Sequence, residues 1–157
     1  MPIEKLKYNN FDALLETCYD IYINVWKQNP MFNSKNINRD TTLENNKENS
    51  FWGIVEGHND SVVFEHLERY TTIPFFEYIM LHMNISGNGE TDDIIWSTLR
   101  RNINIISKKY NYLIVLSERR DSCFLVTAYP ISENKKNKKI AAWKSEQKYN
   151  KNRNRQI

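Results

Sequence analysis

His66 lies in the run Phe64-Glu65-His66-Leu67-Glu68-Arg69-Tyr70. Imidazole is the side chain whose ordinary pKa suits proton transfer near neutrality, and helical spacing brings Glu65 and Arg69 to neighbouring faces. An ordinary half-buried histidine is the competing description of the same residue. His82 reads as a packing residue, and His58, in a Gly-His-Asn-Asp turn, as solvent-exposed. A second candidate group is the run Cys123-Phe124-Leu125-Val126-Thr127-Ala128-Tyr129. Strand alternation places Thr127 and Tyr129 on one face with Leu125 and Cys123, and Phe124, Val126 and Ala128 on the other. A threonine hydroxyl can hydrogen-bond a phosphate oxygen, and a tyrosine can bind phosphate, stack on a base or move a proton. Both are also good strand formers, which alone accounts for their presence. Arg119-Arg120 and Lys108-Lys109 fall at the ends of expected strands, where they clamp phosphate, Arg in bidentate fashion, or serve only as solubilising charges.

These residue types suit one chemistry in particular. In RNA the 2′-hydroxyl attacks the neighbouring phosphorus, so a protein need supply a base, an acid for the leaving 5′-oxygen and cations for the equatorial oxygens. No metal or other cofactor is required. The adjacent carboxylates Asp92-Asp93 point to opposite faces of a strand and have no second acidic cluster, so a metal-dependent nuclease is disfavoured. Dinucleotide and ATP chemistry lack their glycine-rich loops, and HExxH, GxSxG and EF-hand patterns are missing.

The charge distribution points to a polyanion. The formal net charge of +3 hides a balance of −8 from Met1 to Leu99 and +11 from Arg100 to Ile157. A cationic face speeds encounter with nucleic acid, and phosphate contacts release counterions. The run Lys135-Lys136-Asn137-Lys138-Lys139 belongs to that face or to a solvated tail.

With 157 residues and 40% hydrophobic content the chain can build one core. Cys18 and Cys123 lie far apart without CxxC spacing, which points to a reducing, cytoplasmic setting. Apolar runs are too short to cross a bilayer, and MPIEKLKYNN has no apolar signal region, so no membrane association is expected.

Asn9-Asn10 and the face of Leu14, Cys18, Ile21, Tyr22 and Val25 predict a helix over 11–27, stopped by Asn29-Pro30. Residues 33–50 are Asn-rich and read as a mobile loop. Phe51 to Glu56 suits a short strand, followed by a helix carrying His66, Arg69 and Tyr70 and a second from Phe75 to about Met83. Four β-rich runs follow: Ile94–Leu99, Ile103–Ser107, Tyr112–Ser117 and Cys123–Ile131. The expected architecture is α+β, with N-terminal helices on an antiparallel sheet of about four strands and a basic C-terminal tail or helix around 141–149. Three segments are expected: 1–50, helix and Asn-rich loop; 51–134, α+β core; 135–157, basic segment.

FEHLERY, an aromatic helix and NYLIVLSERRDSCFLVTAYPISENKK together resemble the barnase, EndoU, colicin and RelE-like group of metal-independent ribonucleases, especially its phage- and toxin-associated branches. In those branches a His-Ile-x-x-Arg-His type helix precedes the sheet and Thr-Ala-Tyr-Pro closes its last strand. His66 matches the first histidine and Arg69 the arginine, while Tyr70 stands at the second histidine, leaving Tyr70, Tyr129 or His82 to complete the acid/base pair. The resemblance implies an endoribonuclease giving 2′,3′-cyclic phosphate ends, with His66 as general acid or base. Arg69 and Arg119 would then stabilise the pentacoordinate phosphate, and Thr127 and Tyr129 would position it. Tyr70, Lys108, Lys109, Arg120, Lys135, Lys136, Lys138 and Lys139 would hold the RNA. An acidic inhibitor protein is the implied partner. The alternative is a nucleic-acid-binding or phage accessory module without catalysis.

Overall fold

The computed structural model describes residues 2–57, 63–85 and 87–155, with the backbone alone at 63–66 and 153–155. Helix α1 (Phe11–Lys27) begins where the extended Asn10 accepts the Ala13 N–H at 2.8 Å, and Asp12 sits in its positive first turn. Its buried stripe of Leu14, Cys18, Tyr22, Val25 and Trp26 enters the main core. Asn29, at φ 50, and Pro30 end the helix.

The Asn-rich segment expected to lack regular structure folds into two hairpins. Strands β1 (Met31–Phe32) and β2 (Lys35–Asn38) turn through Asn33 and Ser34, and β3 (Leu43–Glu44) and β4 (Lys47–Glu48) through Asn45 and Asn46. All four turn residues have φ between 48 and 64. Two-residue hairpin turns with both central residues left-handed match the twist of the flanking strands, and Asn is the non-glycine residue that most readily accepts them.

The stretch Phe51 to Glu56, expected as a short strand, instead lies largely in helix α2 (Asn49–Val55). Its buried Phe51, Ile54 and Val55 fall at i, i+3 and i+4, a helical stripe, and Phe51 packs edge-on against Tyr22 with ring centres 5.4 Å apart. Helices α3 (Val63–Thr71) and α4 (Ile73–His82) follow, α4 opening on Pro74 in its first turn.

The main sheet has six strands in the order β1-β2-β8-β7-β6-β5, where β5 is Ile94–Leu99, β6 Asn102–Ser107, β7 Tyr112–Glu118 and β8 Ser122–Pro130. The expected antiparallel meander forms its larger part. The difference is β2, which runs parallel to β8 and pairs it only from Ser122 to Phe124. Helices α1 to α4 build the core on one face of the sheet. Helix α5 (Glu133–Arg155) crosses the other face over β5 and β6, burying Ile95, Ile106 and Leu113 beneath Ile140 and Trp143. The described part of the basic segment therefore lies in one 23-residue helix, longer than the short helix or tail expected. Ser132 starts it by accepting the Lys135 N–H on its hydroxyl and the Lys136 N–H on its carbonyl. No described helix is long and apolar enough to cross a membrane.

Candidate nucleic-acid interface

The register of β7 and β8 slips between Val115, opposite Thr127, and Leu116, opposite Leu125, so Val126 is an extra, exposed residue. Such a bulge inverts the alternation of side chains beyond it. Cys123, Leu125 and Ala128 enter the helix-covered core, whereas Thr127 and Tyr129 stand on the α5 side with Phe124 and Val115. Strict alternation thus misplaced the two hydroxyls. Because α5 covers β5 and β6, the β7–β8 part of this face stays half-open, and Val115, Ser117, Phe124, Thr127 and Tyr129 are all only partly buried there.

Two cations lie against Tyr129. The Lys135 ammonium donates to its hydroxyl at 2.8 Å and lies 4.6 Å from the ring centre, and the Arg69 guanidinium lies 5.2 Å from that centre. Arg69 reaches this place from the last turn of α3 because its Nη1 donates to the Ile54 carbonyl at 3.2 Å. Gly57, at φ 68, leaves the necessary room, since a Cβ there would come within 3.1 Å of the guanidinium carbon. Neither Arg69 nor Lys135 has a carboxylate within ion-pair distance among the described residues. Two positive groups and a hydroxyl donor therefore converge on one half-open spot, as an anion site requires.

The other expected site residues divide by position. Tyr70 is not an RNA contact: it is 1% exposed, and its hydroxyl donates to Glu56 Oε1 at 3.0 Å. Burial foremost, and then the Glu56 charge, push its pKa upward. His82 stays on α4, in the helical layer across the sheet from Tyr129, with its Nδ1 2.7 Å from the Tyr78 carbonyl oxygen. The His66 backbone lies one turn before Arg69 on α3, its side chain outside the described residues, as is all of His58.

Lys108 is ion-paired to Glu90 at 3.2 Å, and Lys136 to Glu133 at 3.0 Å while also donating to the Lys108 carbonyl. Both charges are already committed within the fold. Lys109 is exposed, with its ammonium 5.4 Å from the Tyr110 ring centre, and Lys138 is exposed on α5. Lys139 donates to Asn104 Oδ1 at 3.2 Å, on the β6 strand that α5 covers.

Arg119 and Arg120 are separated from the Tyr129 cluster. Arg119 lies over Phe124, 4.8 Å from its ring centre, five residues before Tyr129 along β8. At about 3.3 Å per strand residue, roughly 15 Å parts them, too far for one phosphate group. Arg119 is thus removed from the catalytic cluster that the motif implied.

Comparison with protein-family models, with curated proteins and with solved structures finds no match to this chain. The functional reading therefore rests on the site's own geometry. Lys135, at the start of α5, is among the residues expected to hold RNA. Its pairing with Tyr129 depends on where α5 begins, which Ser132 sets.

Proposed function

We propose that the protein is a metal-independent endoribonuclease that cleaves RNA by attack of the 2′-hydroxyl on the adjacent phosphorus. The observation that carries this reading is Tyr129 in contact with both Arg69 and Lys135 on a half-open sheet face. The Arg69 and Lys135 cations neutralise the charge that builds on the equatorial phosphate oxygens. The Lys135 ammonium occupies a lone pair of the Tyr129 oxygen, so the tyrosine's own O–H remains to donate to the substrate. In the proposed step the 2′-oxygen gives up its proton and bonds to phosphorus, the bond to the 5′-oxygen breaks, and that oxygen takes the proton of the Tyr129 hydroxyl as a 2′,3′-cyclic phosphate forms. Thr127, two residues from Tyr129 on the same face, positions a phosphate oxygen. His66, one turn before Arg69, is proposed to accept the 2′-hydroxyl proton.

The second reading is an RNA-binding module without catalysis. It is favoured by Tyr70, which occupies the expected second histidine position yet is buried against Glu56. Incubation with total RNA in EDTA, alongside His66→Ala, separates the two. Discrete fragments with cyclic-phosphate ends, lost in the variant, support the nuclease, whereas bound but intact RNA leaves the binding module. An acidic inhibitor covering the half-open face belongs to the same proposal.

A further inference from the structure

The end of the sheet away from Tyr129 carries a charge cluster that the cleavage site does not use. The β5–β6 turn at Arg100-Arg101 and the β7–β8 turn at Arg119-Arg120 lie side by side, tied by the Glu118 N–H donating to the Arg101 carbonyl at 2.9 Å. Lys35 from β2 joins them, its ammonium donating to the Arg119 carbonyl at 3.2 Å. Together with Thr98 and Ser117 these residues frame an open cavity of about 810 Å³. Five basic side chains there face one lining carboxylate, Glu118, which lies 3.5 Å from Lys35. The four arginines are exposed, and none has an ion-pair partner among the described residues.

Unpaired guanidinium groups held together on short turns repel one another, a cost that a bound polyanion relieves. The position of the cluster narrows the kind of polyanion. Arg119 lies over Phe124, and Phe124 shares its side of the sheet with Thr127 and Tyr129, so the cluster and the Tyr129 site occupy one continuous face. The half-exposed Phe124 ring between them offers a stacking surface for a base.

We propose that Lys35, Arg100, Arg101, Arg119 and Arg120 form a second phosphate-binding surface that holds the flanking backbone of a single RNA strand whose reacting phosphate lies at Tyr129. This inference rests on the RNA reading above and adds a substrate requirement. A strand must span the roughly 15 Å from Tyr129 to Phe124 to engage both places, which selects longer single-stranded RNA over di- or trinucleotides.

The test is fluorescence anisotropy with 2′-O-methyl oligouridylates, which lack the attacking hydroxyl, of about two and about twelve nucleotides over a series of salt concentrations. The wild-type chain is compared with Arg100→Asn/Arg101→Gln/Arg120→Gln. Asparagine is chosen at Arg100 because that residue has φ 60, and circular dichroism with thermal melting checks that the variant folds. The long oligomer is expected to bind the variant about tenfold more weakly, with its logarithmic salt slope reduced by about two, while the short oligomer binds both proteins alike. Unchanged affinity for the long oligomer, or equal weakening for both lengths, overturns the second surface while leaving the Tyr129 reading intact. A wild-type chain that binds neither length removes the RNA reading itself, and the second surface with it. If that chain instead self-associates in a salt-sensitive way that the variant abolishes, the arginines form a protein contact.

Discussion

Lys135 and Tyr129 lie six residues apart, one at the start of α5 and the other at the end of β8, yet their side chains join at 2.8 Å through the lysine ammonium and the phenolic oxygen. The Arg69 guanidinium, from α3, lies 5.2 Å from the centre of the same ring. Three elements thus meet at one phenol, so the proposed cleavage depends on Tyr129 most.

Replacing Tyr129 with Phe keeps the ring against both cations and removes only the hydroxyl. Cleavage is expected to fall by about 10²-fold with RNA affinity nearly unchanged. Arg69→Lys retains the charge without the bidentate fork and is expected to lose about 10²-fold or more in cleavage rate. Single-turnover cleavage beside filter binding checks both, and parallel losses in rate and affinity would assign these residues to binding alone.

Neighbouring lysines should behave differently. Lys135 is directed at Tyr129, whereas Lys136 is engaged by Glu133 and the Lys108 carbonyl. Lys135→Gln is expected to lower the logarithmic salt slope of RNA binding by about 0.7, the share of one phosphate contact on a single strand, and Lys136→Gln to leave it unchanged. Equal effects of the two would point to diffuse attraction by the helix as a whole.

Part of this arrangement is legible from the sequence. The capping Asn10, the stripe of α1 and the four β-rich runs locate the first helix and the main strands because local signals and tertiary packing agree there. The reversed face of Thr127 and Tyr129 was not legible, since one bulged residue, Val126, undoes every parity argument beyond it. The hairpins at Asn33-Ser34 and Asn45-Asn46 have a weak sequence signal, because Asn suits paired left-handed turn positions as well as irregular loops. Phe51, Ile54 and Val55 likewise have helical spacing, which their β-favouring residue types obscured.

The hairpin of β3 and β4 is fastened to α1 by a polar cluster. Glu48 accepts the Tyr22 hydroxyl at 2.7 Å and two Arg39 nitrogens at 2.7 and 3.1 Å, with the guanidinium 4.4 Å from the Trp26 ring centre. Glu48→Ala leaves Tyr22 and Arg39 without their acceptor and is expected to cost about 2–3 kcal/mol, read from the urea midpoint at constant slope. A loss below about 0.5 kcal/mol would contradict the anchoring role.

Burial also sets an alkaline limit. It pushes the Cys18 thiol up to about 12 and raises the phenols of Tyr22, Tyr70 and Tyr112 above their ordinary value of 10.0. In the unfolded chain these groups release their protons first, so the stability they contribute is complete below about pH 9 and declines as pH rises beyond it. Urea unfolding at intervals from pH 8 to pH 11 should show this decline, approaching about 1.4 kcal/mol per pH unit for each group ionised only when unfolded. Cys18→Ala should flatten its first part, and a profile rising with pH would contradict the burial of these groups.

The most direct measurement uses an end-labelled oligonucleotide with one ribose among 2′-deoxy positions, incubated with the purified chain in EDTA. The account predicts a single cut on the 3′ side of that ribose, leaving a 2′,3′-cyclic phosphate, with the rate reduced about 10²-fold by Tyr129→Phe. An intact oligonucleotide, or cuts at deoxy positions, would contradict it.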